Sequence, residues 1–154
     1  MHYYLDGYNI LFSLSHSKKS LLHQRKELTL FLQEAFAKKK IRGSLIFDGK
    51  VNLEEESGRA YPSPLELVFT SQGETADAYI LEQAEFCKHR SQLTVITNDQ
   101  GLRRHLRYMR VKTMDNQKFL SWLSKEKQKE EKPEIFESRR QTERLLKIFE
   151  DNTP

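Results

Sequence analysis

Along this chain the spacing of apolar positions switches repeatedly between that of a strand and that of a helix. His2 to Leu5 is short, aromatic and strand-like, and it runs into Asp6-Gly7, which reads as a break with a loop at the strand's carboxyl end. From about Leu21 to Lys40, the apolar residues Leu21, Leu22, Leu28, Leu32, Ala35 and Phe36 fall between charged ones at the spacing of an amphipathic helix, and Gly43 ends the pattern. Ser44 to Phe47 is a second compact strand, and it too closes on Asp-Gly, at Asp48-Gly49. Val51 to Pro64 is polar and carries Gly58, Pro62 and Pro64, so it reads as an irregular excursion over the surface.

The alternation then resumes. Leu65 to Thr70 predicts a third strand, and Glu74 to Lys88 a helix with Ala76, Ile80, Leu81, Ala84 and Cys87 near one stripe. Leu93 to Thr97 predicts a fourth strand, ending in Asn98-Asp99. A short helix near Gln100 to Leu106 follows, then a fifth strand at Met109 to Thr113 and a helix from about Asn116 to Leu123. Strands that alternate with helical crossovers imply an α/β fold: a mainly parallel sheet of about five strands covered by helices on both faces.

Lys125 to Lys132 is almost wholly charged and breaks the pattern. Beyond Pro133, Ile135, Phe136, Leu145, Leu146, Ile148 and Phe149 can share one side of a last helix. The expected organisation is a domain over 1–124, followed by a charged linker and C-terminal helix over 125–154 that docks on the same domain.

At 154 residues the chain has the size of one domain able to bury its own core. Its lone Cys87 forms no internal disulfide and no zinc-ligand pair, which favours a reducing compartment and so the cytoplasm. No apolar run reaches the roughly 18 residues that span a bilayer, and the start MHYYLDGYN lacks the pattern of a secretion signal, so no membrane partner is expected. Lys and Arg number 26 against 22 Asp and Glu, an excess compatible with a polyanionic partner. One basic run, Lys38, Lys39, Lys40 and Arg42, reads best as a solvated helix face. The other, Arg103, Arg104, His105, Arg107, Arg110 and Lys112, lies beside an acid at a strand end.

Those strand-end acids carry the chemistry. In open α/β sheets, ligands bind at the carboxyl ends of the strands where the strand order reverses. Asp6 follows the first strand, Asp48 the second and Asp99 the fourth, while Asp77 sits in the first turn of the helix after the third. Clustered carboxylates repel and pay desolvation, so they need a cation among them or must take up protons. Oxygen-only ligands suit Mg²⁺ or Mn²⁺, which activate water and stabilise charge in phosphodiester hydrolysis. Asn9 offers a neutral amide for a water or a phosphate oxygen. Singly, each residue has a plainer reading: Asp-Gly is an ordinary turn dipeptide, Asp77 suits a helix amino terminus, and Asp99 and Asp115 suit N-caps. The five histidines show no metal-ligand spacing.

The pieces Leu5-Asp6-Gly7-Tyr8-Asn9, Phe47-Asp48-Gly49, Gly73-Glu74-Thr75-Ala76-Asp77 and Thr97-Asn98-Asp99 resemble, in order and spacing, the NYN family of PIN-like nucleases and its bacterial YacP-like branch. The resemblance covers about the first 120 residues. It implies a PIN-like three-layer α/β/α sandwich and a metal-dependent endoribonuclease, acting in YacP-like members on mRNA associated with ribosomes. Carried over by motif, Asp6, Asp77 and Asp99 are the principal metal-site acids, with Asn9 and Asp48 supporting and Asp115 at most an outer-shell acid. Gln100-Gly101-Leu102-Arg103 after Asp99 departs from the acidic or Gln-rich continuation expected of that branch, which bears on substrate preference. In this reading Arg103, Arg104 and Arg107 contact RNA phosphates, and Tyr8 stacks on a base or packs in the core. The rival class is a non-catalytic RNA- or ribosome-binding module that keeps the fold. A receiver-like or two-aspartate phosphatase-like domain fits poorly, since Tyr8 stands where such a phosphatase needs a second acid.

Overall fold

In the computed structural model the described residues are 1–14, 18–49, 58–60 and 64–125, with only the backbone described at 58–60. They form β1 (His2–Asp6), α1 (Gly7–Leu14), α2 (Leu21–Lys39), β2 (Arg42–Phe47), β3 (Gly58–Ala60), β4 (Leu65–Phe69), α3 (Ala76–Phe86), β5 (Leu93–Ile96), α4 (Gln100–Tyr108), β6 (Lys112–Met114) and α5 (Asn116–Ser124). The sheet order is β3-β4-β2-β1-β5-β6. All neighbours pair in parallel except β3, which joins β4 antiparallel at one edge.

The period-2 alternation of the strands decides which helices lie on which face. Leu5, Leu45, Phe47, Leu67, Phe69 and Ile96 join one core with residues of α1, α2 and α5, including Leu11, Leu32, Phe36 and Phe119. Ile46, Val68, Leu93 and Val95 point the other way and pack on Ile80 and Ala84 of α3 and on Leu102 and Leu106 of α4. The result is the expected three-layer α/β/α sandwich, with the mainly parallel sheet in the middle.

Three elements differ from the sequence reading. Gly7 does not break the chain but is the first residue of α1. A Cβ there would meet the Phe47 ring and the Ile46 carbonyl, so glycine lets the helix start tight against β2. The excursion 51–64 contains the short edge strand β3, whose pairing with β4 leaves no signature in so polar a stretch. The last strand begins at Lys112 rather than Met109, because Met109 to Val111 finish α4. There Met109 N–H bonds the His105 and Leu106 carbonyls, Arg110 takes a left-handed φ of 67°, and Val111 N–H returns to the Leu106 carbonyl. The basic run at Lys38 to Lys40 is the carboxyl-terminal turn of α2, where cations suit the dipole, and Lys39 Nζ lies 4.6 Å from the centre of the Trp122 ring. The expected linker and final helix fall at 126–154, outside the described residues. No described helix is long and apolar enough to cross a membrane.

Candidate active site

Strand β1 lies in the middle of the sheet, between β2 and β5, and the winding of the chain reverses there. In open α/β sheets the carboxyl ends of the strands beside such a reversal are where ligands bind. Leu5 faces the α1, α2 and α5 layer, so alternation turns Asp6 towards α3 and α4, the two helices whose amino-terminal turns bring Asp77 and Asp99. Asp6 is 7% exposed. Thr97 Oγ1, fully buried at the end of β5, donates to Asp6 Oδ2 at 3.2 Å, and the Asn9 backbone N–H also donates to the Asp6 carboxylate. Asp99 N–H in turn donates to Thr97 Oγ1 at 3.2 Å.

The carboxyl groups of Asp6 and Asp77 lie within interaction range of each other, and two acids so placed raise the demand for a proton or a cation. Burial raises the Asp6 carboxyl from 3.8 to about 7, with the negative charges of Asp77 and, less, Asp99 adding to the rise. The opposing influences on Asp6 are the hydrogen bonds from Thr97 and Asn9, not a basic side chain. Asp77 is also raised, first by burial and then by Asp99. Two acids thus touch and a third is felt through its charge. Asp99 also caps α4, its Oδ1 accepting from Leu102 N–H at 3.1 Å, while its charge is among the causes that raise Asp6 and Asp77. Asp115 caps α5 in the same way, its Oδ1 accepting from Lys118 N–H at 2.8 Å.

Asp48 stands half-buried just past β2, at the same edge of the sheet. Its loop is fixed by Gly49, whose N–H donates to Thr70 Oγ1 at 3.0 Å and whose α-carbon leaves no room for a Cβ against the Thr70 carbonyl. Among the described residues, no three His, Cys, Asp or Glu side chains form a ready-made metal-binding group. The donors that do meet are carboxylate oxygens pushed towards protonation by burial and, after it, by one another's charge, which is the chemistry a hard divalent cation relieves, so Mg²⁺ or Mn²⁺ fits this set.

Asn9 is held rather than loose. Its Oδ1 accepts from Asn98 N–H at 2.8 Å and from Asn116 Nδ2 at 2.9 Å, so its own amide Nδ2 is the group left to meet a ligand. Tyr8 packs edge-on to Phe47 with ring centres 4.9 Å apart, stacks on Phe12, and its hydroxyl accepts from Arg25 Nη1 at 3.0 Å. The ring this arrangement presents to solvent is that of Phe12, 66% exposed, which the sequence reading did not single out. Arg104 and Arg107 are exposed on α4, whereas Arg103 is half-buried, its Nε donating to Thr113 Oγ1 at 3.4 Å. Asn116 escaped the sequence reading, and Asn98 was quoted there only within its motif, because an Asn beside an Asp at a helix start looks like capping chemistry and nothing more.

The chain is similar in fold to two crystal structures of Rae1 (YacP) from Bacillus subtilis. One superposes with a TM-score of 0.64 at 20% identity, covering 96% of this chain and 81% of that one. The other, a tryptophan-to-leucine variant, gives 0.59 at 19% identity, covering 96% and 77%. No curated protein matches the chain. The family described as "YacP-like NYN domain" matches residues 3–153, nearly the whole sequence. The chain therefore belongs to the YacP-like NYN domain family, a nuclease-type family with an α/β/α fold.

Proposed function

We propose that the protein is a divalent-metal-dependent endoribonuclease that hydrolyses RNA phosphodiester bonds, with mRNA on the ribosome as its substrate. The observation that carries this reading is the buried contact between Asp6 and Asp77, with the charge of Asp99 close enough to raise both. A fold tolerates that concentration of negative charge where a cation and a phosphate are to be handled. Asp6, Asp77 and Asp99 would hold Mg²⁺ or Mn²⁺, with Asp48 beside them. The ion would supply charge neutralisation and water activation for in-line attack. Thr97 and the Asn9 N–H hold the Asp6 carboxylate in place, and Asn9 Nδ2 can orient a phosphate oxygen or a water. Arg104 and Arg107 contact the RNA backbone, Arg103 adds charge from a more fixed position, and Tyr8 supports the aromatic surface ending in Phe12.

The test is cleavage of single-stranded and ribosome-bound RNA by purified protein with Mn²⁺, alongside Asp6→Asn. Cutting by the wild type alone is the expected result. Intact RNA in every reaction removes the nuclease reading. The rival, a non-catalytic RNA- or ribosome-binding module, draws on the absence of a ready-made three-donor group among the described residues. Calorimetric titration with Mn²⁺ separates the two, since only the nuclease must take up the ion at the aspartates.

A further inference from the structure

Behind the acids, three asparagines from distant parts of the chain lock together. Asn116, the first residue of α5, is fully buried. Its backbone N–H donates to Asn98 Oδ1 at 2.8 Å. Its Nδ2 lies 2.9 Å from Asn9 Oδ1, 3.3 Å from the Asn9 carbonyl and 3.2 Å from Ser13 Oγ. Asn98 N–H closes the triangle on Asn9 Oδ1. Burying an amide costs free energy unless its groups are paired, and the Oδ1 of Asn116 is buried with no partner among the described residues. An apolar residue would fill the same space without that penalty, so packing alone does not explain the amide.

The two residues it grips explain it better. Asn9 supplies the backbone N–H that holds Asp6. Asn98 stands between Thr97, the other donor to Asp6, and Asp99. We propose that Asn116 is the positioning residue of the site: by clamping α1 to the end of β5 it sets the separation of Asp6 and Asp99, and so the fit of the cation between them. Asn116 touches neither ion nor RNA, and its effect passes through Asn9 and Asn98. This inference rests on the metal-dependent reading of the acids.

The experiment measures Mn²⁺ affinity by calorimetry, and kcat and KM on single-stranded RNA, for the wild type, Asn116→Ala, Asn98→Ala and Leu123→Ala. Leu123→Ala is a core truncation in the same helix and the stability control. Loss of an outer partner of a metal ligand typically costs about 10- to 100-fold in affinity or activity. Asn116→Ala is expected to lose that much in Mn²⁺ affinity and kcat with KM unchanged, while Leu123→Ala loses stability only. Asn98→Ala, at an exposed position, removes the Oδ1 acceptor and is expected to shift the same quantities less. It decides the matter should Asn116→Ala fail to fold. Equal Mn²⁺ affinity and kcat in the wild type and the asparagine variants, or equal losses in Leu123→Ala, overturn the proposal. A wild type that neither binds Mn²⁺ nor cuts RNA instead overturns the reading on which it rests.

Discussion

The two ends of the parallel strands treat buried polar groups in opposite ways. Towards the amino end, His2 Nε2 meets Ser44 Oγ at 2.9 Å, and Ser44 Oγ donates to Glu66 Oε1 at 2.8 Å, a chain that crosses β1, β2 and β4 with each donor facing an acceptor. Burial lowers the His2 imidazole pKa, with Glu66 opposing. At the carboxyl end, Asp6 faces Asp77 and feels Asp99, acid against acid. The same sheet pairs its polar groups donor to acceptor at one end and sets carboxyl groups against each other at the other. Unmet electrostatic demand, rather than burial or polarity as such, is what singles out the carboxyl end as the candidate site.

The sharpest way to break this contrast is Asp6→Asn. Cleavage should fall by about 1000-fold or more, at the upper end of what losing one electrostatic group costs, and a rate within tenfold of wild type under saturating Mn²⁺ would remove Asp6 from the site. The second effect is on stability in the metal-free protein. Asp6 is raised from 3.8 to about 7 in the folded state, so between those values the folded chain holds a proton that the unfolded chain has released. Stability therefore falls as pH rises from about 4 to 7, by on the order of 4 kcal/mol at most. Urea midpoints across that range should show the decline, Mn²⁺ should reverse it, and Asp6→Asn should flatten it. A midpoint that climbs steadily with pH would contradict the assignment.

Asp99 separates its two duties more gently. Asp99→Ala should lose about 1 kcal/mol with its helix cap, whereas Asp99→Asn keeps the cap, and both should lose cleavage. Thermal melts beside activity assays make the distinction, and an active Asp99→Asn would leave capping as its whole role. Replacing Arg104 and Arg107 by Gln should lower the slope of log affinity against log salt by roughly 0.7 for each phosphate no longer neutralised on single-stranded RNA, with kcat at saturation unchanged. At the settled end, Ser44→Ala should cost about 1 kcal/mol of stability and nothing in activity. A drop in kcat there would show that the two ends are coupled.

Much of this was legible from the residues alone. Long periodic segments such as α2 announce themselves, and three acids at strand ends with a fourth at a helix start are visible once strands are assigned. What escaped were features set by contact between distant segments. The helical state of Gly7 to Leu14 depends on Gly7 fitting against Phe47, which no local pattern encodes. Strand β6 starts late because Arg110 adopts a left-handed turn that its residue type does not advertise. The grip of Asn116 on Asn9 and Ser13 spans more than a hundred positions and leaves no spacing to read. Tyr8 was legible only in part: its identity suggested stacking or packing, and the hydroxyl bond to Arg25 depends on where α2 lands.

Strand β1 is made before β5, with which it pairs, since the residues of β5 come about ninety positions later. Threonine and aspartate from the far side of that pairing complete the ring of groups around Asp6. A chain emerging from its own synthesis consequently carries the first acid long before the last, and it cannot assemble the constellation until β5 has threaded in beside β1. On the proposed function, a half-made chain would have no assembled site with which to cut.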